Sequence, residues 1–170
     1  MEIFDKKKRI LVTGAGGFIG KHLVDFFLSN GFTFLKYNSK DSDSKLEEYI
    51  EQSDLLVHLA GVNRPENISE FNTVNFGITE KIINLLTKYN KEIPIIFSSS
   101  TQIDDNTPYG DSKLKAEKVL LNYQEVTGEK LYILRLPGVF GSGCKPNYNS
   151  VVATFCHNIS NNLSIVIHDH

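Results

Sequence analysis

The chain has 170 residues, 41% of them hydrophobic and 22% charged, with a net charge of −2. That balance excludes a disordered chain and gives no global attraction to nucleic acid or an anionic membrane. No apolar run approaches the ~20 residues of a membrane span, no secretory leader is legible, and Cys144 and Cys156 lack metal-ligand spacing and read as free thiols, so the cytoplasm is the expected location.

The charged run Asp5–Arg9 reads as a solvated lead-in. Arg9–Thr13 is short, β-branched and apolar, and predicts a buried strand. Phe18–Asn30 follows with helical spacing and a natural stop at Gly31. Thr33–Tyr37 predicts a second strand and Asn38–Asp43 a polar loop. Ser44 with Glu47 has the form of a capping box opening a short helix. Leu55–Ala60 reads as a third buried strand. A helix is expected over about Glu70–Tyr89, a strand over Ile93–Phe97, a helix over Tyr109–Thr127 and a strand over Leu131–Arg135. Ser150–Ile159 reads as a helix and Leu163–Ile167 as a final strand.

Strands that are near-continuous apolar runs, alternating with helices, need cover on both sheet faces. The expected fold is therefore α/β, a doubly wound parallel sheet of the NAD(P)-binding Rossmann kind. Residues 1–162 are expected to form the dinucleotide-binding domain. Residues 163–170 read as the start of an incomplete substrate-binding part, because nothing follows the last apolar segment to cover it.

Gly14, Gly17 and Gly20 form G-x-x-G-x-x-G between the first strand and its helix. With 12 glycines in 170 residues, this spacing arises by chance about 0.06 times. The first glycine permits a tight turn, the second lets a pyrophosphate approach the backbone, and the third lets helix and strand pack closely. The N–H groups that open the helix then face the phosphates. At the end of the second strand an NAD-binding chain usually carries an acid that grips the ribose hydroxyls. Here Asn38, Ser39 and Lys40 stand there instead. A hydroxyl and a cation suit a 2′-phosphate, so NADP(H) is favoured; Asp41 and Asp43 are near enough to keep NAD possible.

Tyr109 and Lys113 lie four apart and share a helix face. Such a pair arises by chance about 0.6 times here, so its context carries the reading: it follows a strand ending in Ser98-Ser99-Ser100. Hydride delivery to a ketone leaves an alkoxide that needs a proton. A phenol whose pKa is drawn down by an ammonium can supply it, while a serine orients the carbonyl.

The segments Ile10–Gly20, Asp54–Gly61, Asn75-Phe76-Gly77, Phe97–Ser100 and Tyr109–Lys113 resemble the extended short-chain dehydrogenase/reductase family, the sugar-nucleotide epimerases, dehydratases and reductases. His58–Glu66 and Cys144–Phe155 are similar to a narrower group, the capsular-polysaccharide reductases acting on a UDP-linked 2-acetamido-2,6-dideoxy-4-keto-hexose with NADPH. The resemblance implies Ser100, Tyr109 and Lys113 as the catalytic set. It implies cofactor contacts from Gly14, Gly17, Phe18, Ile19, Gly20, Ser39, Lys40, Leu59, Ala60 and Gly61, as well as from Tyr109 and Lys113. It implies substrate contacts from Asn63, Arg64, Asn75, Asn147 and Asn149; an arginine and side-chain amides also suit a diphosphate and a uracil edge. It further implies a UDP-sugar substrate and a homodimer.

Three features depart from the family pattern. Gly138 stands where the family has asparagine, the usual third strand with its adenine-contacting acid is not legible between Tyr37 and Leu55, and family members run to about twice this length. Two other functions remain open. One is an epimerase or 4,6-dehydratase with retained NAD, although Ser100 is followed by Thr101-Gln102-Ile103, with acids only at Asp104 and Asp105. The other is a dinucleotide-binding fragment without turnover. His58 reads as a core histidine. His168-Asp169-His170 reads as a frayed terminus, and no metal site is expected.

Overall fold

The computed structural model describes residues 5–167. One compact unit runs to Arg135 and a second starts at Leu136. In the first, β1 (Arg9–Thr13) leads to α1 (Phe18–Asn30), β2 (Thr33–Tyr37), α2 (Asp43–Gln52) and β3 (Leu55–His58). A π-helical turn (Phe71–Phe76) runs into α3 (Gly77–Lys88), then come β4 (Ile95–Ser100), a 3₁₀ turn (Thr101–Asp104) and α4 (Pro108–Thr127). The strand β5 (Leu131–Leu136) closes the sheet, whose order is β2-β1-β3-β4-β5.

Pairing is parallel, with Leu11 beside both Leu35 and Leu56 and His58 beside Phe97. The chain leaves β1 toward β2 on one side and returns to β3 on the other. The strand order therefore reverses at the carboxyl end of β1, where open α/β sheets form a crevice.

Alternate residues of β1 face opposite layers, as the period of a strand requires. Leu11 joins Leu46, Ile50, Leu56, Ile82, Leu86, Phe97 and Leu120 under α2, α3 and α4, while Ile10 and Val12 join Val24, Phe27, Leu55 and Val57 under α1. Phe27 is fully buried and its ring lies 5.1 Å from that of Phe32 and 5.7 Å from that of Phe34. Burial of such a side chain contributes about 1.5–3 kcal/mol, so α1 is held by packing.

Several local expectations are corrected. The cap of α2 is Ser42, whose Oγ accepts the Lys45 N–H at 3.3 Å; Ser44 instead bonds to the Ser42 hydroxyl at 2.8 Å, so the helix starts one residue before the expected capping box. The third strand stops at His58, because the chain turns there to cross the glycine loop. No extra strand intervenes between β2 and β3; the chain goes through α2. The expected final strand Leu163–Ile167 is not a strand: the described residues give it no ladder partner, and its apolar side chains are exposed.

In the second unit, α5 (Val151–Ser160) is capped by Ser150, whose Oγ accepts the Ala153 N–H at 3.1 Å. None of its residues is buried. Cys144 and Cys156 are free thiols. Among the described residues no helix is long and apolar enough to cross a membrane. His168-Asp169-His170 lies outside the described residues.

Candidate active site

The glycine turn is built by close backbone crossings. Gly14 has a φ of +68°, and a Cβ there would stand 2.6 Å from the Ala60 nitrogen. A Cβ on Gly20 would stand 2.2 Å from the Gly14 oxygen. The turn thus presses against both the exit of β3 and the first turn of α1. Gly17 caps α1 and offers no side chain, so the helix itself leaves the N–H groups of Phe18, Ile19 and Gly20 without intrahelical partners. A Cβ on Gly17 would meet only the Gly14 oxygen, at 3.2 Å. Such a rim of backbone donors without side chains fits a diphosphate.

At the end of β2, the Asn38 Oδ1 accepts the Gly16 N–H at 2.6 Å. The Asn38 N–H donates to Asp41 Oδ2 at 2.7 Å, and Lys45 Nζ donates to Asp41 Oδ1 at 2.6 Å. The Lys45 hydrogen bond holds the Asp41 carboxyl below its ordinary pKa. Ser39 and Lys40 are exposed on this rim.

Past β3, Leu59 and Ala60 are half-buried and Gly61 is exposed. A hydrogen-bond chain with one consistent proton order braces this exit. Thr79 Oγ1 gives its proton to the Asn75 oxygen at 2.9 Å. It must therefore accept from His58 Nε2, also at 2.9 Å. His58 Nδ1 is then the acceptor for Thr13 Oγ1 at 2.6 Å, and Thr13 Oγ1 in turn receives the Ala60 N–H at 3.3 Å. Burial and then the Lys113 charge push His58 down to about 3, so it is the neutral ring that this chain requires.

Asn75 is fully buried in the π-helical turn. Its Oδ1 accepts the Val62 N–H at 2.7 Å, and its Nδ2 donates to the Val62 oxygen at 3.1 Å and to Ser112 Oγ at 3.0 Å. The resemblance groups it with the substrate contacts; in this structure its amide braces the 61–62 loop.

The end of β4 sorts three serines to three partners. The Ser98 oxygen accepts Lys113 Nζ at 2.9 Å. Ser99 Oγ donates to Glu117 Oε1. Ser100 Oγ accepts the Gln102 N–H at 3.1 Å. Lys113 is 4% exposed; its ammonium lies 4.9 Å over the Phe97 ring, and a Cβ on Gly61 would stand 3.2 Å from it. Burial pulls it down to about 8, against the raising influence of Glu117.

The expected lowering of the tyrosine by this lysine is not what the protein displays. Burial raises the Tyr109 phenol, opposed by the Ser100 hydrogen bond. The Lys113 ammonium donates to the Ser98 carbonyl.

Asn63 and Arg64 are exposed in the loop after β3, in the first unit. Asn147 and Asn149 are exposed in the second, where Asn147 adopts a φ of +55° and donates its N–H to Thr154 Oγ1 at 2.8 Å. Sequence reasoning missed Glu117, which is 1% exposed and receives Arg135 Nε at 3.1 Å and Nη2 at 2.7 Å. The signal was available: it continues the Tyr109–Lys113 spacing by one more turn. It also missed Phe71, whose ring meets that of Tyr109 edge-on at 5.7 Å. A π-helical turn has no signature in hydrophobic spacing.

Residues 10–170 match the model of the NAD dependent epimerase/dehydratase family. The UDP-2-acetamido-2,6-beta-L-arabino-hexul-4-ose reductase of Pseudomonas aeruginosa is 40% identical over 162 residues, covering 95% of this chain and 44% of that protein. The crystal structure of the capsular polysaccharide assembling protein CapF from Staphylococcus aureus superposes with a TM-score of 0.80 at 42% identity, over 94% of this chain and 44% of that one. UDP-glucuronic acid 4-epimerase from Bacillus cereus, in complex with NAD, shares the fold at a TM-score of 0.77 and 20% identity, over 91% of this chain and 63% of that one. The chain thus spans less than half the length of the first two.

Proposed function

The chain belongs to the NAD-dependent epimerase/dehydratase family, and on that premise we propose that it contributes the dinucleotide-binding and proton-transfer part of an NADPH-dependent reductase of a UDP-linked 4-keto-6-deoxy amino sugar, in capsular or O-antigen polysaccharide biosynthesis. The observation that carries the reading is the buried Lys113 ammonium, held between the end of β4 and the Gly61 loop one helical turn from Tyr109, at the sheet edge that also bears the glycine turn.

A bound nicotinamide dinucleotide supplies the hydride. Gly14, Gly17, Phe18, Ile19 and Gly20 bind its diphosphate, Ser39 and Lys40 its adenosine end, and Leu59, Ala60 and Gly61 line its path. Ser100 orients the ketone through its hydroxyl. Tyr109 donates its Oη proton to the sugar 4-oxygen; a phenol held above its ordinary pKa by burial is fully protonated at neutral pH and fit to donate. Lys113, still largely charged at pH 7, holds ribose hydroxyls. Asn63 and Arg64 serve the nucleotide sugar. In this reading residues 1–162 form the dinucleotide domain, 163–170 open the substrate-binding part, and the assembled protein is a dimer.

The test is loss of nicotinamide absorbance when the protein meets NADPH and a UDP-4-keto sugar. Consumption should fall by about 10²–10⁴ in Tyr109→Phe, with NADPH affinity kept. NADPH binding without turnover would reduce the proposal to a binding domain. A Tyr109→Phe variant as active as the parent would end the proton-donor assignment.

A further inference from the structure

We infer that Lys45 is a specificity-determining residue, which masks the Asp41 carboxylate and so turns the adenosine end of the site toward a 2′-phosphorylated dinucleotide. The inference rests on the dinucleotide reading above and names residues beyond it.

Asp41 stands about 20 residues past Gly20, where an acid usually takes the ribose hydroxyls of NAD. In this chain both of its oxygens are engaged: Oδ2 accepts the Asn38 N–H at 2.7 Å and Oδ1 accepts Lys45 Nζ at 2.6 Å. The loop folds back on itself, the Asp41 N–H donating to the Asn38 oxygen at 3.0 Å. The Asn38 side-chain oxygen is likewise committed, to the Gly16 N–H at 2.6 Å. Lys45 is steadied from its other side by the Tyr49 ring, 5.4 Å from its ammonium. The next acid, Asp43, pairs with Lys81 at 2.6 Å. Each acid near the strand end is therefore matched by a cation, while Lys40 stays exposed on the rim. The local charge is net positive, which favours a phosphate dianion over a neutral diol.

Removal of the Lys45 charge leaves Asp41 uncompensated. The side chain of Lys45→Met keeps an apolar stem for Tyr49 and isolates the charge. We expect it to weaken NADPH binding relative to NADH by about tenfold at low ionic strength, read as the ratio of dissociation constants from nicotinamide fluorescence titration. The shift should shrink as salt is added. Asp41→Asn should move the ratio the opposite way, and the double variant should return toward the parent. If Lys45→Met does not fold, Asp41→Asn decides alone. Binding of both dinucleotides with an unmoved ratio in the folded variants overturns the mask and leaves the dinucleotide reading intact. A parent chain that binds neither dinucleotide overturns that reading itself, and the mask with it.

Discussion

At the scale of single residues, the buried polar groups are arranged around fixed proton positions. His58 is the clearest. Its two nitrogens have opposite duties, acceptor toward Thr13 and donor toward Thr79, and a second ring proton on Nδ1 would displace the hydrogen bond that Thr13 Oγ1 donates there. Its folded pKa of about 3 lies below the ~6.5 of an unfolded histidine. Between those values the unfolded chain binds a proton that the fold refuses, so this group makes stability fall as pH drops from about 6.5 toward 3 and contributes no pH dependence above that window. The slope approaches one proton, about 1.4 kcal/mol per pH unit. Urea unfolding at pH 7 and pH 4.5 should show this loss in the parent and a smaller loss in His58→Gln. Equal losses in both chains would remove His58 from the acid response. His58 was legible as a core histidine from its place in an apolar strand, but its tautomer depends on Thr79, which is 21 residues away.

At the scale of elements, the glycine turn shows why spacing alone went far. A strand, three glycines and an amphipathic helix leave few ways to connect, and the fold uses the close one. What spacing could not state is which atoms collide. The absent Cβ of Gly20 would overlap the Gly14 oxygen at 2.2 Å and the Ala15 Cα at 2.8 Å, both backbone. Gly20→Ala must therefore push α1 off the turn. The expected cost is about 2–4 kcal/mol, seen as a lower urea midpoint, together with loss of dinucleotide binding. Unchanged stability would mean that α1 can slide without cost. The π-helical turn makes the opposite point. It carries Phe71 to Tyr109 and Asn75 to Val62 and Ser112, and π-type turns recur at functional sites. A plain helix was expected there, because apolar periodicity reports a face and not one extra residue per turn.

At the scale of the molecule, the buried apolar residues run from Ile10 to Tyr123 among those described, and α5 buries none. The core thus belongs to the unit that ends at Arg135. A chain stopped after Leu136 should melt cooperatively within about 5 °C of the parent, since a shift that small corresponds to about 1 kcal/mol or less. A much earlier or broad transition would show that the second unit supports the first. The family relationship acts at this scale too, because the shared 44% of CapF covers nearly all of this chain.

The sequence by itself determined the class of fold, the place of the dinucleotide turn and the spacing of Tyr109 and Lys113, because these follow from local period and from short steric rules. Only the tertiary structure decided that Ser98 and Ser99 engage Lys113 and Glu117, that Asn75 braces a loop, that Lys45 pairs with Asp41, and that burial raises the Tyr109 phenol. Each of these depends on which distant groups share a dry space, and the strength of a charge or a hydrogen bond there is set by those neighbours and not by the order of residues along the chain.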